Sequence, residues 1–346
     1  MDREQHRDTS SVGWEISVSF PSTDGRVRLA GTLAMPPEGR AAPAVVLVSG
    51  TGPIDRDVTF VGHALFRTVA HTLARQGIAS LRFDKRGVGE SEGDFSSARV
   101  PGFVADVLGA TEYLVAEAGF SAEHVGLLGH SEGGIVALTA AARAPRTAFC
   151  VSLAGPLLSG RDNAVRMFAL LARGSLKRDV EFDLCLSDLD TLVEIARSAE
   201  PSMREAEAKE LATRLAPRIF NERTHVILGS KSLSGLEFFR LLSSTCLDTV
   251  LSWEPRQVAP LVMCPVLLFY GGKDVQVPAF ENVAAARAVV GQLGKTDWTI
   301  REFAGMNHAF QYCETGMPDE YASIGYVMAE EVIEEAAVWI KARTRL

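Results

Sequence analysis

The chain is poor in cysteine, has no excess of basic residues and contains no long apolar run, and each shortage excludes a class of protein. Its five cysteines lie far apart without a C-x-x-C pair, so they predict neither a disulfide framework nor a zinc site. The formal net charge of -8 argues against a nucleic-acid or anionic-membrane surface, because both attract basic patches. We therefore expect a small or neutral molecule as the partner.

Targeting and metal-binding signals are also missing. The first residues, MDREQHRDTSSVG, are polar and lack the apolar stretch of a secretory signal, and no apolar run approaches the roughly 18 residues that a membrane span needs. No paired-histidine motif or acidic cluster has the spacing of metal ligands. These observations predict a cytoplasmic protein without a membrane span or a bound metal.

What the sequence does contain is a repeated alternation of strand-like and helix-like segments. The segments EISVSF and RVRLAGTLAMP flank a STDG turn and predict an opening antiparallel hairpin. The continuous apolar run of PAVVLVSGTG is typical of a strand buried on both faces in a parallel sheet. Further alternation up to about residue 155 indicates βα crossovers, and thus an α/β fold with a mostly parallel sheet.

A helical stretch interrupts this alternation. The strand pattern stops near Gly155 and resumes at CPVLLFYGGKD, followed by a helix around 279–292, a strand and a last helix around 324–342. The segments between have the apolar spacing of helices. We therefore divide the chain into an N-terminal tail (1–14), a first core part (15–156), a helical lid insertion (157–258) and a second core part (259–346).

The pattern glycine-any-serine-any-glycine occurs twice, around Ser131 and around Ser91. An activated serine needs an exposed position above a sheet, beside a base and beside backbone N–H donors, and a strand, sharp turn and helix supply all three. The stretch GLLGHSEGGIVALTAAA has this order, with glycines where a side chain would crowd the turn. Polar residues and a proline follow Ser91 instead, so Ser131 is the predicted nucleophile and Ser91 a loop serine.

A serine nucleophile requires a histidine base and a carboxylate that holds the imidazole. Of the seven histidines, His308 lies in REFAGMNHAF, just past the last predicted strand, at the carboxyl edge of the sheet that also holds Ser131. Asp274 follows the preceding strand in LLFYGGKDVQVP, where glycines let the chain turn. We predict that Ser131, Asp274 and His308 act together.

These motifs resemble those of the α/β-hydrolase superfamily over essentially the whole chain beyond the first dozen residues. GHSEGG, YGGKD and GMNHAF match its triad stations, while VSGTGPIDRD and DKRGVGES are similar to bacterial esterases of the lysophospholipase-like or dienelactone-hydrolase-like kind. The resemblance implies helices on both faces of the sheet. It also implies oxyanion donors in the backbone N–H groups of Glu132 and Thr51, with Gly50 and Gly52 as neighbours, although Ser49 stands where this loop more often has histidine.

The function expected from these residues is a serine hydrolase that cleaves carboxylic esters or thioesters of a small or medium apolar acyl group through an acyl-enzyme, without a cofactor. A serine at the elbow disfavours the dehalogenase and epoxide-hydrolase chemistry of the superfamily, which uses aspartate there. Phe238 and Phe239 of the insertion are candidates for the acyl pocket, with packing inside the lid as the alternative. Chain length of the substrate and a homodimeric state stay open.

Two alternatives remain beside this function, and a third is disfavoured by the sequence. The same residues would suit a small-peptide or amide hydrolase, and the same fold could serve as a binding or biosynthetic scaffold without turnover. SGTGPID resembles the start of a dinucleotide fingerprint, but Asp55 occupies the third glycine position, where helix packing leaves no room for a side chain. The charged residues of IDRD and FDKRG predict ion pairs that fix their loops.

Overall fold

The computed structural model describes residues 14–37, 39, 42–60, 62–198, 200–244 and 247–344. Nearly all of the predicted N-terminal tail, and also Cys246, lie outside the described residues. Within those ranges, no helix has the length and apolar character that crossing a bilayer requires. The same ranges contain no cluster of three His, Cys, Asp or Glu side chains that could hold a metal ion.

A central sheet of eight strands carries the fold, and a separate pair of two-residue strands lies beside it. The strands in chain order are β1 (Glu15–Pro21), β2 (Arg28–Ala34), β3 (Ala44–Val48), β4 (Thr59–Phe60), β5 (His63–Ala64), β6 (Ala79–Phe83), β7 (Val125–His130), β8 (Cys150–Leu153), β9 (Val266–Gly271) and β10 (Trp298–Phe303). The large sheet has the order β1-β2-β6-β3-β7-β8-β9-β10. Pairing is antiparallel from β1 through β2 to β6 and parallel from β6 to β10, as the sequence predicts.

Helices connect these strands and cover both faces of the sheet. In chain order they are α1 (Leu65–Arg75), α2 (Val100–Ala116), α3 (Glu132–Arg143), α4 (Gly160–Ala172), α5 (Asp179–Arg197), α6 (Glu205–Ile219), α7 (His225–Leu228), α8 (Gly235–Leu242), α9 (Asp248–Leu251), α10 (Pro255–Val258), α11 (Ala279–Leu293) and α12 (Glu330–Arg343). Side chains of α2, α3 and α11 pack on one face of the sheet, and those of α1 and α12 pack on the other.

Burial on both faces explains the apolar run of β3. Ala44, Val46 and Val48 belong to the cluster under α2 and α3, while Val45 and Leu47 belong to the cluster under α1 and α12. Every residue of this strand is therefore buried, and a polar side chain at any of these positions would lose its water without a partner. The two-layered covering confirms the predicted α/β fold.

The helices α4 to α10 lie between β8 and β9 and pack mainly on one another. Apolar residues of α4 to α9 form a third buried cluster, which is separate from the two clusters of the sheet, whereas Val258 of α10 packs on the cluster under α2 and α3. This arrangement follows from amphipathic helices that bury their stripes together. The role of this helical insertion as a lid stays a prediction.

Two local details differ from the sequence predictions. The helix expected around residues 62–76 begins at Leu65, because His63 and Ala64 pair with β4 as a short hairpin. The helix expected around 324–342 begins at Glu330, and the segment before it forms bends and is tied to the loop after β10, where Gln311 Nε2 donates to the carbonyl of Tyr326 at 2.7 Å. Side-chain contacts from elsewhere in the chain therefore override the local helical pattern.

Candidate active site

Ser131 occupies a strained turn between β7 and α3. Its backbone has φ 57° and ψ -124°, a conformation that side-chain-bearing residues rarely adopt. The turn is held from both sides, because Ser131 N–H donates to the carbonyl of Leu153 at 2.9 Å and Gly134 N–H donates to the carbonyl of Ser131 at 2.8 Å. Such a turn lifts the hydroxyl out of the strand and above the sheet edge.

The glycines around Ser131 are required by close backbone approach. A Cβ on Gly129 would collide with the carbonyl of Gly133, and a Cβ on Gly133 would collide with the carbonyl of Val48. A Cβ on Gly134 would lie 2.5 Å from Ser152 Oγ. The sequence pattern that singled out Ser131 thus has a steric cause in the packing of this turn.

Ser91 lies in a different environment. Its hydroxyl donates to the carbonyl of Asp84 at 2.7 Å and accepts from the N–H of Ala30 at 3.0 Å. The first contact closes the loop after β6, and the second holds this loop against β2. Ser91 is therefore a buried loop serine, as predicted.

The structure brings His308 and Asp274 into direct contact at the carboxyl edge of the sheet. His308 Nδ1 lies 2.7 Å from Asp274 Oδ2, and both side chains are almost completely buried. Asp274 Oδ1 accepts from the N–H groups of Gln276 at 2.7 Å and Val277 at 2.9 Å. A carboxylate oxygen here only accepts, so Nδ1 carries the proton and Nε2 is left with its lone pair.

Ser131 and His308 line one cleft of about 320 Å³ together with Gly50 and Thr51. The loop after β3 supplies Gly50 and Thr51, whereas Gly52, also a candidate, lies outside the lining and has φ 104°. Among the hydrogen bonds of the described residues, none comes from Ser131 Oγ. Hydrogen bonds of nucleophiles are commonly long in structures without substrate and shorten in the complex.

The candidate oxyanion donors are the backbone N–H groups of Thr51, which lines this cleft, and of Glu132, which follows Ser131. Glu132 is the first residue of α3, where an N–H has no partner within the helix. In the part of the chain that the structure describes, neither its N–H nor that of Thr51 donates a backbone or side-chain hydrogen bond. The family resemblance implies these two N–H groups as the oxyanion donors, which stays a prediction, and the N-terminus of α3 adds a favourable dipole.

His130, next to the serine, contacts both the backbone and the ring of His308. Its Nε2 lies 3.0 Å from the carbonyl of His308, and the two rings are 4.9 Å apart. Burial, together with the neighbouring His308, lowers the pKa of His130 to about 3. His130 is therefore neutral and donates from Nε2 to the carbonyl of His308.

The walls of the cleft come from several parts of the chain. Apolar side chains of the segment around β4 and β5 meet two residues of α7 and one before α12: Ile54, Val58, Leu65, Val226, Ile227 and Val327. Polar groups stand between them: Thr59, His63, Gln276, Gln311 and Tyr321. Sequence analysis missed Val226 and Ile227 because periodicity does not say which helix of an insertion meets the core. It missed the others because they lie in loops, short strands and helix ends that have no period of their own.

The structure places Phe238 and Phe239 away from the cleft. Phe238 is fully buried and packs edge-on against Phe168 and Phe220 inside the insertion, at ring distances of 5.3 and 5.2 Å. Phe239 packs against the same cluster. Both side chains therefore pack in the insertion's own core, which is the alternative that the sequence left open, and neither lines the cleft that holds Ser131.

The predicted ion pairs of the loops around the cleft are present. Arg56 bridges Asp84 at 2.5 Å and also contacts Glu90, so the loop after β3 is fastened to the loop after β6. Burial alone would raise the pKa of Asp84, but Arg56 and two backbone N–H groups hold it below its ordinary value. Arg86 pairs with Asp106 at 2.7 Å rather than with Asp84.

The thiols show no sign of reactivity. Burial raises the pKa of Cys185 to about 11 and that of Cys264 to about 12, and it raises the pKa of Cys150 well above its ordinary value. A thiol in this state forms little thiolate near neutral pH. These three cysteines are therefore mostly protonated thiols.

The amino-acid sequence is similar to one protein-family model and to one characterised esterase. The family model "Serine aminopeptidase, S33" matches residues 62–182. Esterase EstD of Thermotoga maritima is 25% identical over 328 residues, which cover 93% of this chain and 68% of that protein. Both matches include Ser131 within their spans of the core.

Solved structures give the same result at the level of the fold. The α/β hydrolase GrgF from Penicillium sp. sh18 superposes with a TM-score of 0.60 at 19% identity, covering 96% of this chain and 99% of that one. The Pyrococcus furiosus esterase PF2001 superposes with a TM-score of 0.57 at 14% identity, covering 95% and 91%. The sheet order, the elbow at Ser131 and these structural similarities show the α/β-hydrolase fold, and in sequence the chain is similar to an esterase.

Proposed function

We propose that this chain, a hydrolase of the carboxylesterase type, cleaves carboxylic esters or thioesters of a small or medium apolar acyl group with Ser131 as the nucleophile. The observation that carries the proposal is the 2.7 Å contact of His308 Nδ1 with Asp274, in a cleft shared with a serine on a strained elbow. A binding scaffold has no need for these three groups together.

The chemistry follows from the tautomer of His308. Its free Nε2 accepts the hydroxyl proton while Ser131 Oγ attacks the acyl carbon, and Asp274 stabilises the imidazolium that forms. The resulting oxyanion accepts hydrogen bonds from the N–H groups of Thr51 and Glu132. Return of the proton to the alkoxide or thiolate releases the alcohol or thiol and leaves an acyl-enzyme. A water molecule then repeats both steps and releases the acid.

The cleft walls support an uncharged substrate. Apart from the histidines, its lining residues in the described part of the chain include no charged side chain. An aminopeptidase, the activity in the matched family's description, would need a carboxylate to receive the substrate's free amine. The absence of an acidic group from the lining favours esters over peptides with a free amino end.

A volume of about 320 Å³ suits a small or medium ligand. The apolar groups along the wall favour an aliphatic or aromatic acyl chain, while Gln276 and Tyr321 could orient a polar atom of the leaving group. The cytoplasmic location expected from the sequence stays a prediction.

The direct test is hydrolysis of p-nitrophenyl esters from acetate to laurate, with matched thioesters and amides, by the wild-type protein and by Ser131→Ala. We expect kcat/KM to peak at short or medium acyl chains, with esters and thioesters far ahead of amides, and activity to vanish in the variant. Equal activity of the two proteins, or hydrolysis confined to amino-terminal amides, would overturn the proposal.

A further inference from the structure

A buried lysine that proton transfer does not use lies beneath the cleft. Lys85 lies two residues after the end of β6 and is 6% exposed. Its ammonium group lies 4.9 Å from the ring centre of Phe103 and 5.7 Å from that of Phe95. A cation that loses its water in this way is costly unless polar groups replace the water. The partners of Lys85 therefore indicate what the charge does.

Lys85 Nζ has two such partners, and they belong to the two segments that carry the oxyanion donors. It donates to the carbonyl of Gly50, and it lies 3.1 Å from the carboxylate of Glu132, which is also buried. Gly50 immediately precedes Thr51 in the loop after β3, and Glu132 immediately follows Ser131. A single ammonium group thus connects both halves of the oxyanion site.

Peptide geometry turns the first contact into a constraint on a donor. In a trans peptide the C=O and N–H bonds point in opposite directions, and the described residues contain no cis peptide bond. Fixing the carbonyl of Gly50 toward Lys85 therefore fixes the N–H of Thr51 on the opposite side, away from the lysine. Without this hold the peptide could rotate and withdraw its N–H from the site.

The second contact acts on the other donor. The carboxylate of Glu132 is anchored to Lys85, and the same residue carries the N–H at the start of α3. The loop of Lys85 is itself fixed, because Lys85 N–H donates to the carbonyl of Ile54 at 3.3 Å and Asp84 is fastened to Arg56. The lysine is thus tied to a rigid frame.

We propose that Lys85, paired with Glu132, is a positioning residue that presents the N–H groups of Thr51 and Glu132 to the oxyanion. This inference rests on the proposed function, since it concerns the tetrahedral intermediate of the same reaction. It predicts that losing Lys85 lowers kcat and leaves KM nearly unchanged, because the oxyanion forms after the substrate has bound.

The test compares Lys85→Met, Glu132→Gln and the double variant Lys85→Met/Glu132→Leu with the wild type. Lys85→Met should lower kcat about 100-fold, the size of effect that loss of one oxyanion donor has elsewhere. Glu132→Gln retains an oxygen acceptor for Lys85, so its kcat should stay within about tenfold of the wild type. The double variant removes both charges and should regain thermal stability without regaining kcat.

Arg86→Met provides a matched control. Arg86 follows Lys85 in the loop after β6 and forms an equally buried pair with Asp106 of α2. Its described contacts reach neither Gly50 nor Glu132. We expect Arg86→Met to lower the unfolding temperature as Lys85→Met does, with kcat unchanged at temperatures where it is folded.

A second readout separates positioning from stability. An alkylboronic acid, which forms a tetrahedral adduct on the serine, should bind Lys85→Met and the double variant about 100-fold more weakly, in parallel with kcat. Recovery of kcat together with stability in the double variant, or equal losses of kcat in Lys85→Met and Arg86→Met, would overturn the inference while wild-type esterase activity stands. If the wild type hydrolyses no ester, the proposed function fails and this inference fails with it.

Discussion

The core and the helical insertion use charged residues in opposite ways. In the core, Arg82, Lys85 and Arg86 are buried at 1 to 9% side-chain exposure, and each bridges segments distant in sequence. In the insertion, Arg161 and Arg204 pair with carboxylates while about two-fifths exposed. Buried pairs hold loops in one arrangement, whereas exposed pairs contribute little beyond solubility.

From this difference we expect the core to determine the chemistry of the reaction and the insertion to influence which substrates fit. The elements that perform catalysis in our account belong to the core, where backbone direction and proton position are fixed by buried contacts. The insertion meets the cleft only through Val226 and Ile227 of α7 among the lining residues described. It can therefore change the shape of the cleft without disturbing the residues around Ser131.

The largest expected effect lies in the core. Ser131→Ala should reduce kcat by about a millionfold, because the triad members act as a unit and the nucleophile is one of them. Ser91→Ala should retain most activity, since Ser91 only fastens the loop after β6. Steady-state hydrolysis of one preferred ester measures both, and an inactive Ser91→Ala beside an active Ser131→Ala would reverse the assignment.

Asp274→Asn should have the next largest effect. The amide cannot hold His308 in the tautomer that leaves Nε2 free, so kcat should fall about ten-thousandfold, the loss that the same change causes in serine proteases. His308→Ala should be comparably damaging, and the double variant should lose far less than the two effects combined. Strictly additive losses would show that the two residues do not act on one step.

The insertion should respond in a different way. Ile227→Ala should shift acyl-chain preference by about 1 to 3 kcal/mol in kcat/KM, because it opens the cleft wall. Phe238→Ala should instead destabilise the protein by about 3 to 5 kcal/mol with the order of preferred esters unchanged. Acyl-length profiles and urea unfolding of both variants test this, and a shifted profile in Phe238→Ala alone would contradict the placement of the cleft.

The smallest effect concerns pH and stability. The hydrogen bond with His71, aided by Arg82, lowers the pKa of Glu15 in the core to about 2. Glu207 in the insertion is instead about half exposed and pairs with Arg204 at the surface. A carboxyl whose pKa is lowered on folding stabilises the protein above its unfolded pKa near 4.5, and this contribution disappears as pH falls toward 2.

Glu15→Gln should therefore lower the unfolding free energy by about 1 to 2 kcal/mol at pH 6, after allowance for solvent screening, and the difference should vanish toward pH 2. Glu207→Gln serves as the control and should change nothing measurable. Urea unfolding at several pH values checks both expectations, and a constant difference across this range would contradict the role given to Glu15.

The core was more readable from sequence than the insertion, for physical reasons. Strands buried on both faces must be continuously apolar, and the turn at Ser131 requires glycine at positions 129 and 133. Both requirements are visible in the sequence. The two-residue strands β4 and β5 are too short to show a period. The start of α12 depends on contacts with Gln311, which no local pattern contains.

The residues around the cleft divide in the same way. Asp274 and His308 were predictable because parallel strands end at one edge, where the loops that follow them meet. Ile227 was not, because an amphipathic helix shows which of its faces is buried without showing what covers it. Lys85 carried a faint signal in DKRG, a lysine two residues after a buried strand, but its partners become visible only once two distant loops are brought together.

Covalent trapping of the nucleophile tests the central claim most directly. A fluorophosphonate probe, followed by digestion and mass spectrometry, should give one adduct on Ser131 in the native protein and none after denaturation. The adduct should disappear in Ser131→Ala and persist in Ser91→Ala. Labelling that persists in Ser131→Ala, or that appears on Ser91 in the wild type, would contradict the account of this site.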